Sequence, residues 1–405
     1  MLVLWGMAFS LILGVGFANS GGNSRSDRSI AVLDSTTLSL LVASLVFSGL
    51  LVIPSSIYAF LDMIGRPVIN EHPRRWFLNP TFLIVVFPFV VYAGQWVITH
   101  TRSTWIYLPV LHILAVGLPI LWLTYLGYQR LPMSSRQRTW GIFNSGLILG
   151  PWLAILAEIS ALLGLFILAM MYLSARPEFA TELSTLAQRL MYAPSSPEVI
   201  RRILTPFLSR PGLVYLVIAL FVVIVPLIEE VCKPVGIWML IGRRLSPAEG
   251  FVAGVVSGAG FALFENLLYS SNPDTWSFMV TARIGTAAMH ILTTGLMGWG
   301  LALAWREGRY MRLALAYFTA VLIHGLWNGF SIMAAAAEYL TPSVGLYFNS
   351  SISTILKSRE TAAIAQFVLG FTIIIMLIWF NSLLRGGERL RAEVGAGLPS
   401  PLDQI

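Results

Sequence analysis

Apolar residues along this chain neither alternate nor follow a single helical stripe. They come in continuous runs of roughly 20, about the length that crosses a bilayer. About ten such runs can be marked, at 1–18, 38–61, 78–98, 105–127, 147–173, 213–240, 248–269, 278–305, 313–337 and 363–384. Hydrocarbon offers no partner for a backbone N–H or C=O, so a run of this kind satisfies itself as a helix. The pattern predicts an all-α, polytopic transmembrane helix bundle of about ten spans.

Between 176 and 212 the pattern changes. Leu183, Leu186, Leu190 and Met191 recur at helical spacing, and so do Ile200, Ile203, Leu204, Phe207 and Leu208 after the helix start Ser196-Pro197-Glu198. Two amphipathic helices lying on the membrane surface fit this pattern. The chain then divides into an N-terminal membrane region of about five helices (1–175), an external amphipathic loop (176–212), a second helix bundle (213–385) and a cytoplasmic tail (386–405). The first run ends on Gly16 and Ala18 before a polar stretch, as a signal-peptidase site does, but it has no basic n-region. It reads as a retained helix.

Composition agrees with the pattern: 57% of residues are hydrophobic and 11% charged, about half the charge of a soluble domain. Soluble globular structure is excluded, and the bilayer is the first partner. The net charge of +7 would invite a nucleic-acid reading, but the arginines sit in short loops between spans. Alternate loops hold Arg66, Arg74 and Arg75; Arg130, Arg136 and Arg138; Arg243 and Arg244; Arg306, Arg309 and Arg312; and Arg385, Arg389 and Arg391. The loops facing the other way are poor in them, with none between Ser270 and Ser277. By the positive-inside rule both termini are cytoplasmic, as in a multi-pass protein of a prokaryotic plasma membrane. No nucleic-acid partner is expected. The lone cysteine, Cys232, rules out an internal disulfide.

Polar chemistry is unevenly spread. In the first five spans Glu158 and His112 are isolated ionisable residues and read as structural. From Leu213 onward, four consecutive spans hold Glu229, Glu230, Lys233, Glu265, Arg283, His290 and His324. Each charge at bilayer centre costs about 2.5–3.5 kcal/mol, so such a set persists only if it pairs and faces a wet cavity.

The residues fall into four motifs. In PLIEEVCKP, Glu229 and Lys233 stand i,i+4 on one helix face while Glu230 points about 100° away. Pro226 and Pro234 each remove a backbone hydrogen bond, which is tolerated where backbone lines a cavity. In GFALFENLLY, Glu265 follows Gly254 and Gly258, whose spacing lets another helix approach closely. Tyr269, one turn on, is placed to donate to Glu265. In RIGTAAMHILTTG, Arg283, Ala287, His290 and Thr294 share a face, and in HGLWN, His324 and Asn328 do. Carboxylates, imidazoles and an amide converging in a bundle can activate water and stabilise an oxyanion. They can also form a proton relay, so a proton-coupled transporter is the alternative, and a catalytically inactive receptor or scaffold a third.

EExxK, FALFEN, a helical His and HGLWN, in this order on successive spans over about 213–340, resemble the PrsW family of intramembrane endopeptidases. That family is related to the CAAX prenyl proteases and bacteriocin-processing membrane proteases. Lys233 stands one position earlier than the superfamily's Arg, and Glu265 stands where those relatives have His. The resemblance implies hydrolysis of a peptide bond in a membrane-anchored protein substrate. It implies Glu229 or Glu230 as general base, Lys233 as a partner of a glutamate, and Glu265 as a second acid/base or a ligand. His290 and His324 would orient water or ligate a metal, and Asn328 would stabilise the oxyanion. The superfamily favours a metal-free glutamate/histidine mechanism; a zinc site of His290, His324 and one Glu is the metal-dependent alternative, although no HExxH is present.

Overall fold

The computed structural model describes residues 35–66, 81–174, 176–193, 197–208, 211–269, 272–340 and 359–396. Helix is the only regular structure among them. The expected span at 1–18 lies outside the described residues. Among the described residues, eight helical stretches are long and apolar enough to cross a membrane: Ser35–Met63, Thr81–His100, Thr104–Tyr128, Arg136–Tyr172, Pro247–Tyr269, Pro273–Glu307, Tyr310–Ala334 and Glu360–Glu388.

In chain order the helices are α1 (Ser35–Leu51), α2 (Ile53–Met63), α3 (Thr81–His100), α4 (Thr104–Tyr128) and α5 (Arg136–Asn144), then a wide π-helical turn (Ser145–Leu149) into α6 (Gly150–Ser174). The surface helices follow as α7 (Pro177–Met191) and α8 (Pro197–Leu208). Leu183, Met191 and Ile200 on them are exposed, as a membrane-surface helix requires.

The stretch expected as one span at 213–240 is built in pieces. These are α9 (Pro211–Ile218), a second π-helical turn (Ala219–Ile224), α10 (Val225–Cys232), a turn at Lys233–Pro234, and the short α11 (Val235–Trp238). The two prolines lack the N–H that would continue the ladder, and side chains from elsewhere take freed carbonyls. Ser257 Oγ donates to Lys233 O at 2.6 Å, and Tyr317 OH donates to Leu227 O at 2.8 Å. Such breaks survive at membrane depth because protein surrounds them.

The centre of the fold is the hairpin of α12 (Pro247–Tyr269) and α13 (Trp276–Glu307), joined by a 3₁₀ turn at Pro273–Thr275 and almost entirely buried. Glycine permits it. A Cβ at Gly250, Gly254 or Gly258 would strike the backbone carbonyls of Gly298, Thr294 or His290 on α13. On its other side α12 meets the first π-helical turn at equally close range, Gly146 against the Ser257 backbone and Gly260 against Phe143 O. The expected close approach at Gly254 and Gly258 is what these contacts are.

Around the hairpin lie α3, α4, α14 (Tyr310–Leu340) and α15 (Arg359–Ala396), and Leu108, Leu123, Phe251, Val255, Met289 and Leu377, from α4, α12, α13 and α15, share one core. His112 on α4 clamps both ends of the hairpin's turn. Trp276 Nε1 donates to its Nδ1 at 3.1 Å, so its Nε2 carries the proton and donates to Leu267 O at 3.0 Å. The Trp276 ring fills the notch left by Gly94. Outward faces carry exposed Phe89, Phe166, Phe318 and Phe367, an apolar belt suited to lipid.

Candidate active site

Lys233, just past the last turn of α10, is fully buried and gathers three groups. Its Nζ lies 2.6 Å from Glu230 Oε1, 3.1 Å from Glu229 Oε2 and 3.1 Å from His324 Nδ1. The helix turn brings both i−3 and i−4 neighbours under one long side chain. Glu230 therefore does not point into another part of the bundle, as its 100° offset implies; it makes the closer pair. His324, half-way along α14, places Nδ1 2.8 Å from the same Glu230 oxygen and Nε2 3.9 Å from Glu229 Oε2.

A second cluster forms between α12 and α13. Arg283 Nη2 donates to Glu265 Oε1 at 2.7 Å and its Nε to Asn266 Oδ1 at 2.7 Å, while Asn266 Nδ2 returns a bond to Arg283 O at 3.1 Å. The Tyr269 ring covers the guanidinium at 4.8 Å; Tyr269 packs on Arg283 rather than bonding Glu265. Held by Oε1, Glu265 turns Oε2 toward His290 Nε2, 2.5 Å away.

The clusters meet in one place. Glu229, Glu265 and His290 each offer an atom within 4.8 Å of the other two. Glu229 Oε2, Glu265 Oε2 and both nitrogens of His290 are buried, yet none makes a hydrogen bond of acceptable geometry. At 2.5 Å the Glu265–His290 contact is short, yet it lacks the angles of a good hydrogen bond. Two carboxylates and an imidazole gathered this closely, Glu229 Oε2 meeting only the Lys233 ammonium, are a donor set for a divalent cation.

These groups stand in the wall of a cavity of about 250 Å³. Glu158, Glu229, Glu265, His290, His324 and Asn328 all reach it, whereas Glu230 and Lys233 do not. Asn328 Nδ2 donates to Phe221 O at 3.0 Å, a carbonyl in the second π-helical turn. Turns of this kind recur at functional sites because they free such carbonyls. A Cβ at Gly325 would strike Val222 O, so glycine in HGLWN is what lets α14 come this close.

A family model described as PrsW family intramembrane metalloprotease matches residues 150–354, half of the 405-residue chain. The chain belongs to this family. Neither the curated proteins nor the solved structures gave a match. As a PrsW-family member the protein is an intramembrane protease, and its eight apolar helices make it an integral membrane protein.

The match begins at Gly150, well before the region where the motifs lie, and so takes in α6 and Glu158. In sequence Glu158 is an isolated ionisable residue and reads as structural; in space it joins Glu229 and Glu265 on the cavity wall. Sequence spacing held no sign of this, since the partners lie some 70 and 107 residues away. The family's description also weighs toward the metal-dependent alternative. Among the described residues, the group close enough to hold an ion is Glu229, Glu265 and His290, and His324 of the expected set stands beside it with Nδ1 against Glu230 and Lys233.

Proposed function

We propose that the protein cleaves a peptide bond of a membrane-anchored protein in this cavity, with zinc held by Glu229, Glu265 and His290. The observation that carries the reading is the gathering of one ligand atom each from Glu229, Glu265 and His290 within 4.8 Å of one another beside the cavity. The cation, when bound, would supply Lewis-acid polarisation of the scissile carbonyl and of water.

The remaining steps belong to side chains. In this reading His324 Nδ1 donates to Glu230 Oε1 across 2.8 Å, and the Lys233 ammonium turns its hydrogens to the two carboxylates. That tautomer leaves the Nε2 lone pair toward the cavity, where it takes a proton from water and passes it to the leaving amine. Glu230 fixes the ring, and Lys233 offsets the charge of the two adjacent carboxylates. Phe221 uses one hydrogen of the Asn328 carboxamide, and the other is free to meet the developing oxyanion.

A second reading rests on Glu229 lining the cavity with an unbonded oxygen: it takes the proton from water itself, and no metal is involved. Metal analysis of purified, active protein separates the two. About one zinc per chain that tracks activity through chelation and re-addition supports the first. Full activity in metal-free protein supports the second.

A further inference from the structure

Once Glu229 and Glu265 are assigned to the cation, one carboxylate in the cavity has no task. Glu158 enters from α6, lines the same wall as His290, His324 and Asn328, and has its Oε1 buried without a hydrogen-bond donor. Neither nearby cation is available to it. Lys233 is spent on Glu229 and Glu230 and does not reach the cavity, and Arg283, which does reach it, is spent on Glu265 and Asn266. A carboxylate kept unpaired in a membrane cavity is expensive unless its partner arrives from outside.

We infer that Glu158 is a specificity residue that receives a basic side chain, lysine or arginine, of the substrate close to the scissile bond. The cavity suits this class. Phe221, Val225, Met289, Trp327 and Ile332 line it too, so the extended methylenes of a basic residue can pack on them while its charged head reaches Glu158; Arg283, the cation in the wall, is turned to Glu265. A leucine in the same subsite would leave the carboxylate unpaired, and a glutamate would be repelled. Discrimination therefore comes from penalty as much as from attraction. The inference rests on the proposed catalytic cavity but concerns which peptide enters it, not how the bond breaks.

The test uses full-length protein in lipid nanodiscs and otherwise identical fluorescent membrane peptides in which lysine, leucine or glutamate is scanned one position at a time. Binding by anisotropy and cleavage by mass spectrometry are read separately. Wild-type protein is expected to favour lysine over leucine by about tenfold at one register. The Lys/Leu ratio should fall to near one in Glu158→Gln, and the preference should turn to glutamate in Glu158→Lys. Ratios within each variant cancel any general loss of folding, and zinc content of Glu158→Gln should equal that of wild type. A lysine preference that survives Glu158→Gln, or its absence from the wild type, overturns the inference. If the binding preference follows Glu158 but no peptide is ever cut, the inference stands and the catalytic proposal is the one that fails.

Discussion

His290 Nε2 and Glu265 Oε2 are 2.5 Å apart, across the α12–α13 interface, without the alignment of a hydrogen bond. Two acceptors held this close repel unless a proton or a cation lies between them. If it is a cation, His290→Asn, Glu265→Gln and Glu229→Gln should each lose bound zinc, while Glu230→Gln should keep it and lose about 10²-fold or more of the cleavage rate. Metal content by mass spectrometry beside rate decides this, and zinc retained by all four variants would sink the ligand assignment.

Arg283 sets the aim of Glu265 by holding its other oxygen. Removing such an outer partner usually weakens metal binding by about 10–100-fold. Arg283→Gln is expected to lower zinc affinity in that range, measured by competition with a chromophoric chelator. Arg283→Lys should recover part of it, since the charge returns without the bond to Asn266. Unchanged affinity in both would make the pair structural only.

Lys233 is fully buried among two carboxylates and an imidazole. Breaking a buried pair from one side costs about 3–5 kcal/mol, because the remaining charge keeps its desolvation penalty. Lys233→Met should lower the melting temperature in detergent markedly. The double change Lys233→Met, Glu230→Gln should regain part of the loss, and a double variant no more stable than the single would contradict the pairing.

The α12–α13 contact gives a graded test of packing. Gly258→Ala places a methyl against His290 O, whereas Gly117→Ala meets nothing within 4 Å. Overpacking of this kind costs about 1–3 kcal/mol. Gly258→Ala should lose both stability and zinc, since the same separation moves His290 away from Glu265. Gly117→Ala should be close to neutral in both, and equal effects would show that helix propensity, not contact, is at work.

The orientation follows from the arginine alternation, and both termini are proposed to be cytoplasmic. Reporter fusions after Arg138, Arg244 and Arg312 should read cytoplasmic, and one at Asp274 external. An external reading at Arg244 would reverse the topology.

Hydrophobic run length alone made the helical bundle legible, and glycine spacing at 254 and 258 announced the tight α12–α13 contact. The four motifs named the site's residues because charges at membrane depth are rare enough to stand out singly. What one dimension could not hold was the pairing. Glu230 and Glu229 stand at i−3 and i−4 from Lys233, both within reach, and which lies closer, 2.6 against 3.1 Å, is a matter of rotamers that spacing does not carry. Glu158 was invisible for a different reason: its neighbours come from helices that follow much later in the chain. The metal group mixes three helices, so no local motif of the HExxH kind could reveal it.

The placing of charge partners also bears on how the chain enters the membrane. Lys233 finds Glu229 and Glu230 on its own helix, so this segment can leave the insertion machinery already paired, long before His324 is synthesised. Glu265 cannot do so, because its partners Arg283 and His290 both lie on the next helix. The charge of Glu265, deep in α12, is neutralised only by α13, across the short turn at Pro273–Thr275. The two helices are therefore expected to be released into lipid as one hairpin, with the carboxylate meeting its guanidinium before either faces hydrocarbon alone.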